Sequence, residues 1–122
     1  MKSRRSHSRR PDQVAETVRQ AVTDALIRGE VRDPRVRLMT VTEVRVTNDL
    51  SHARVLVALS GEEAERQRAL EGLQSAAGFL RSKVARALTT RIVPELHFEL
   101  DRGLEHAARI NTLLGELKRG PD

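Results

Sequence analysis

Apolar residues fall along this chain in runs of two different periods. Val14, Val18, Ala21, Val22, Ala25 and Leu26 recur at steps of three and four, the spacing that makes one stripe on a helix. Pro11 and Asp12 stand before the run as a helix start, and Gly29 stands after it as a stop. The Asp33-Pro34 pair then steers the backbone into an extended path. From Leu38 to Thr47 the chain is rich in β-branched residues and reads as a strand. Its alternation slips between Val41 and Val44, which predicts a bulge or a change of buried face. Asn48-Asp49-Leu50-Ser51 supplies turn chemistry. Ala53, Val55, Val57 and Leu59 then alternate against Arg54, so a second strand closes an antiparallel hairpin.

After Ser60 and Gly61, Glu62 and Glu63 suit the first turn of a helix, where carboxylates meet the positive end of the dipole. Leu70, Leu73, Ala77, Leu80, Val84, Ala87 and Leu88 hold the helical period straight through Gly78. Glycine costs a helix interior about 1 kcal/mol relative to alanine. Two helices meeting at a kink in Ala76-Ala77-Gly78, within a span from about Glu62 to Thr90, therefore fit better than one rod. Gly78 as the stop of an ordinary helical hairpin is the plainer reading. Pro94 opens a third strand, with Leu96, Phe98 and Leu100 facing one way and Glu95, His97 and Glu99 the other. Leu104, Ala107, Ile110, Leu114 and Leu117 suggest a last helix. The expected fold is one α+β domain over residues 11–118, ordered helix, strand, strand, helix, helix, strand, helix, with a three-stranded sheet covered by helices on one face. Residues 1–10 form a disordered basic arm in this reading and 119–122 a tail.

Charge changes the picture by its placement. The net +5 of the 122 residues equals the charge of the first ten, where Lys2, Arg4, Arg5, Arg9 and Arg10 stand without an acid. Residues 79–91 contain Arg81, Lys83, Arg86 and Arg91 and no acid, whereas Glu95, Glu99, Asp101 and Glu105 dominate 95–105. A polyanion is drawn to the first surface and repelled from the second. Nearly every base is arginine, whose planar fork suits phosphate, although codon composition or thermal adaptation explains that bias as well.

Catalytic chemistry is poorly supplied. The absence of cysteine excludes disulfides and thiolate metal sites. His7, His52, His97 and His106 form no spaced metal set with a carboxylate, so surface histidines are expected and no metal. There is no phosphate-cradling glycine loop, and Ser60 and Ser82 lack a nucleophile signature. A non-enzyme without cofactor follows. No apolar run reaches the roughly 20 residues of a membrane span, and the basic N-terminus lacks the apolar stretch of a secretory signal, which points to the cytoplasm. Phe79 and Phe98 are the only large aromatics, and both fit core packing better than base stacking. Binding of structured RNA through phosphates, helix N-termini and shape remains.

The order of elements matches the type II KH domain, yet the Gly-x-x-Gly loop of that fold is missing and Ala76-Ala77-Gly78, an Ala-x-Gly step, stands in its place. In this the chain resembles bacterial ribosome-binding factor A. Arg10-Pro11-Asp12-Gln13-Val14-Ala15, Asp33-Pro34-Arg35-Val36, Val41-Thr42-Glu43-Val44, Gly78-Phe79-Leu80-Arg81, the run from Arg91 to Phe98, and Arg109-Ile110 with Leu113-Leu114 are similar to that family in order and without gaps. Gly103 and Ala107 depart from it, where the family commonly has serine and glycine. The resemblance implies a monomeric assembly factor that binds precursors of the small (30S) ribosomal subunit. Such a factor assists late maturation of 16S rRNA, including its 5′ end, and becomes important in the cold. On this chain the carried-over RNA-binding surface would be Ala76, Gly78, Arg81, Lys83 and Arg86, to which the charge map adds Arg9, Arg10 and Arg91. The alternative is a protein-interaction module of KH-like fold without direct RNA contact.

Overall fold

The computed structural model describes the backbone of residues 2–103 and 114, and the side chains of 10–103 and 114. Its elements are α1 (Lys2–Ile27), β1 (Thr40–Val46), β2 (His52–Ala58), α2 (Glu63–Ser75), α3 (Ala77–Ala87) and β3 (Glu95–Leu100). This is the α-β-β-α-α-β order of a KH-like fold. The expected last helix, Leu104 to Leu117, and the tail 119–122 lie outside the described residues apart from Leu114.

Where a disordered arm and a start at Pro11 are expected, α1 runs back through Pro11 to Lys2. Once a helix exists, each added residue forms a hydrogen bond without a new nucleus, and arginine is a good helix former. Proline lacks one N–H, so a single bond of the ladder goes unmade there. At its other end α1 stops at Gly29, whose φ of +67° lies in the left-handed region. Glu30 N–H donates to Ala25 O (2.9 Å) and Gly29 N–H to Leu26 O (3.2 Å), the paired bonds of a Schellman cap.

The sheet has the order β1-β2-β3. The β1–β2 hairpin is antiparallel, and its register shifts between Val41 and Glu43, where the slip in alternation predicts a bulge. The extra residue brings Val41, opposite Val57, and Val44, opposite Val55, to the same face. β3 pairs with β2 in parallel, setting Leu96 beside Ala53 and Phe98 beside Val55.

All three helices cover that one face. α1 lies over β1 and against α3, while α2 and α3 lie over β3. Val14, Val18, Val22, Val55, Val57, Leu73, Leu80, Val84 and Phe98 form the shared core. Gly72 lets α2 approach the 33–36 segment closely, since a Cβ there would stand 3.0 Å from both Arg35 Cβ and Val36 Cγ2. β1 begins two residues later than the predicted strand, and Leu38 is 80 % exposed. The opposite face of the sheet carries Arg45, His52, Arg54, Glu95, His97 and Glu99.

Candidate nucleic-acid interface

The joint between α2 and α3 is one residue long. Ala76 takes φ −90° and ψ 4°, and its N–H bonds back to Gly72 O (3.1 Å) and Leu73 O (3.0 Å). Leu80 N–H bonds to Ala76 O (3.0 Å), so helix resumes at once, and the path bends where ψ of Ala76 leaves the helical range. The break thus falls at Ala76, and Gly78 belongs to the first turn of α3. The axis is held from below by Leu73, Leu80 and Val84, each fully buried.

With Leu80 and Val84 turned inward, helical geometry turns Gly78, Ser82 and Ala85 outward at steps of four and three. They have small side chains, and together with Arg81 and Val93 they line a shallow depression of about 390 Å³. It is open at Gly78, where a Cβ would find no heavy atom within 4 Å beyond its own helix and chain neighbours. Arg81 forms one wall, its guanidinium donating to Val93 O at 2.8 Å. That bond satisfies one donor and leaves the charge without a carboxylate among the described residues. Arg86 occupies the last turn of α3, where a cation complements the dipole.

The other expected contacts divide. Gly78, Arg81, Lys83 and Arg86 share α3, Ala76 is the half-buried joint, and Arg91 is exposed in the loop that follows. Arg10 is exposed on α1, and the side chain of Arg9 lies outside the described residues. Lys83 is not a free cation: its Nζ lies 3.2 Å from Glu30 Oε2, with both side chains about one-third exposed or less. The Schellman cap of α1 projects Glu30 toward that lysine. Arg86 and Arg91 have no carboxylate partner among the described residues.

Phe79 departs from the expected core packing. Phe98 is buried, but Phe79 is 43 % exposed, with Lys83 Nζ 5.3 Å from its ring centroid. Phe79 stands one residue out of phase with Leu73, Leu80 and Val84, so the helix turns it outward. Ser82, Ala85 and Val93 are lining residues that charge alone does not reveal. Their signal is the small-residue spacing 78, 82, 85 on a helix whose other side is Leu and Val.

The acidic segment faces elsewhere and is largely compensated. Arg54 donates to Glu99 through Nε (2.7 Å) and Nη2 (2.9 Å), and the arginine holds that carboxyl below its ordinary pKa. Thr42 Oγ1 donates to Asp101 Oδ2 at 2.6 Å and lowers the pKa of Asp101. Arg102 clasps Glu63 at the start of α2 (2.9 and 2.5 Å), holding that carboxyl well below its usual range. His52 and His97 are exposed, as expected, and they converge with a carboxylate, Glu95, on the open face of the sheet, which their spacing along the sequence does not show. They are 45 residues apart in sequence and meet only because β3 lies parallel beside β2.

Comparison with known proteins agrees with this architecture. The family model for ribosome-binding factor A matches residues 10–114. The ribosome-binding factor A of Desulforamulus reducens is 44 % identical over 110 residues, spanning 90 % of this chain and 91 % of that protein. That of Thermomicrobium roseum is 46 % identical over 112 residues, spanning 92 % and 86 %. The crystal structure of ribosome-binding factor A from Thermus thermophilus superposes with a TM-score of 0.63 at 29 % identity, over 76 % of this chain and 98 % of that one. A homology model of the Thermus thermophilus factor, fitted into the cryo-EM map of a 30S-RbfA complex, gives a TM-score of 0.56 at 31 % identity, over 70 % and 88 %. A bent α2–α3 unit in place of a Gly-x-x-Gly loop, within a sequence matched almost end to end, means that this chain belongs to the ribosome-binding factor A family.

Proposed function

We propose that this chain is a ribosome assembly factor that binds free or precursor 30S subunits and assists late maturation of 16S rRNA, including its 5′ end. It acts as a cytoplasmic monomer, cleaves nothing, and matters most in the cold. The observation that carries this reading is the outer face of α3, where Gly78, Ser82 and Ala85 leave the helix surface low between Arg81 on one side and Arg86 on the other. A phosphate backbone can approach the uncovered helix there and meet guanidinium forks on its flanks. The relative fitted into a map of a 30S complex supports the choice of partner. No helix among the described residues is long and apolar enough to cross a membrane.

Holding one rRNA conformer promotes maturation only through its differential affinity for that conformer over the competing one. Arg81, Arg86 and Arg91 supply phosphate contacts, and Arg9 and Arg10 extend the basic surface along the N-terminal segment. Co-sedimentation with purified 30S subunits tests the assignment. The wild type is expected to pellet with 30S, and Arg81→Glu with Arg86→Glu to remain in the supernatant with an unchanged circular dichroism spectrum. Pelleting of the folded double variant at the wild-type level would instead indicate docking through protein contacts.

A further inference from the structure

We propose that His52, His97 and Glu95 form a binding site for a zinc-class divalent cation on the open face of the sheet. His52 is the first residue of β2 and pairs with Glu95, the first of β3, while His97 stands two residues further along β3. Side chains at these positions emerge on the side away from the helices. The turn before β2 fixes the first of them: Thr47 N–H donates to His52 O (3.0 Å), and His52 N–H donates to Thr47 Oγ1 (3.1 Å).

The donor atoms already converge. His52 Nδ1 and His97 Nε2 are 3.0 Å apart, and Glu95 Oε2 is 3.8 Å from His52 Nδ1. All three donor atoms lie within 4.8 Å of one another. Zinc bound tetrahedrally at about 2.0–2.1 Å holds its donors roughly 3.4 Å apart, so small side-chain rotations complete the triad. The set N, N, O is one that zinc accepts, and it leaves the fourth position for water or an external donor. Without metal, one ring must donate its proton to the other across that 3.0 Å gap. With metal, each imidazole presents a lone pair there and carries its proton on the far nitrogen, so one ring changes tautomer.

The surroundings do not oppose a cation. Arg54, the strand neighbour of His97, is held by Glu99, and Arg45 on β1 is held by Glu43. The nearest arginines are thus already neutralised. His52 and Glu95 are half exposed or more, at 50 % and 62 %, so an ion reaches the site from solvent.

The full chain, stripped with EDTA, is titrated with Zn²⁺ by calorimetry and with Co²⁺ by visible absorption. One equivalent of Zn²⁺ is expected to bind with a rise in melting temperature, and Co²⁺ to give the intense bands of a four-coordinate site. His52→Ala and His97→Ala should each lose this binding, Glu95→Gln should weaken it, and Mg²⁺ should not compete. These rings are exposed, so the metal-free variants should melt as the wild type does. No saturable uptake by the wild type, or uptake unaltered in His97→Ala, overturns the site.

Discussion

At Gly78 a side chain would touch no neighbouring element, and the backbone belongs to an ordinary helical turn. Under the proposed RNA contact, access to the helix surface accounts for the residue, and Gly78→Ala tests this by separating stability from binding. Alanine should raise stability by about 0.5–1 kcal/mol in urea unfolding, because it restricts the unfolded chain and suits a helix. In the proposed contact the same methyl group would stand where a phosphate backbone approaches, so pelleting with 30S should fall. Asp49 is a different case. The Ser51 hydroxyl, the Thr47 hydroxyl and the Ser51 N–H all donate to its carboxylate and lower its pKa to about 2. A carboxyl depressed in the folded state stabilises it above the unfolded pKa of about 4, and that contribution disappears as pH falls toward 2. Asp49→Asn should therefore flatten the loss of stability between pH 4 and pH 2 in acid titrations followed by circular dichroism.

Among the elements, α3 carries two kinds of cation that substitution can tell apart. Lys83→Gln breaks a half-buried pair with Glu30 and should cost about 0.5–1 kcal/mol of stability, with little effect on 30S association. Arg86→Gln should do the reverse, weakening association while stability in urea unfolding falls by no more than about 0.3 kcal/mol, the worth of an exposed charge on the helix dipole. Sequence reading reached the layout of the elements but not this division. Val14, Val18 and Val22 lie on one stripe at any tertiary arrangement, and the slip from Val41 to Val44 can reach a single face only through a bulge. The Lys83–Glu30 pair spans 53 residues, and local periodicity holds no information at that distance. Alternation in β3 likewise looks the same for parallel and antiparallel pairing, so the meeting of His52 and His97 could not be read. Phe79 was legible: the phase set by Leu80 and Val84 puts it outside, but its hydrophobicity pulled the reading inward.

At the scale of the molecule, α3 and the loop after it present Arg81, Arg86 and Arg91 without a carboxylate partner among the described residues, while Glu99 and Asp101 at β3 and just beyond it are occupied by Arg54 and Thr42. In the proposed complex such a surface would orient an rRNA partner as well as attract it. If about four phosphates are neutralised, the logarithm of the association constant should fall against the logarithm of salt with a slope of roughly −3 for looped or single-stranded RNA. Filter binding between 50 and 200 mM salt reads that slope, and a value near zero contradicts the electrostatic account.

The corner at Ala76 turns the chain without inserting any loop, its N–H still bonded back into α2 and its carbonyl already bonded forward into α3. A flexible clamp would have to settle into shape after each encounter. This corner arrives already set, so capture by rRNA should proceed at the pace of collision and orientation, with speed governed by long-range attraction and lifetime by the contacts made afterwards.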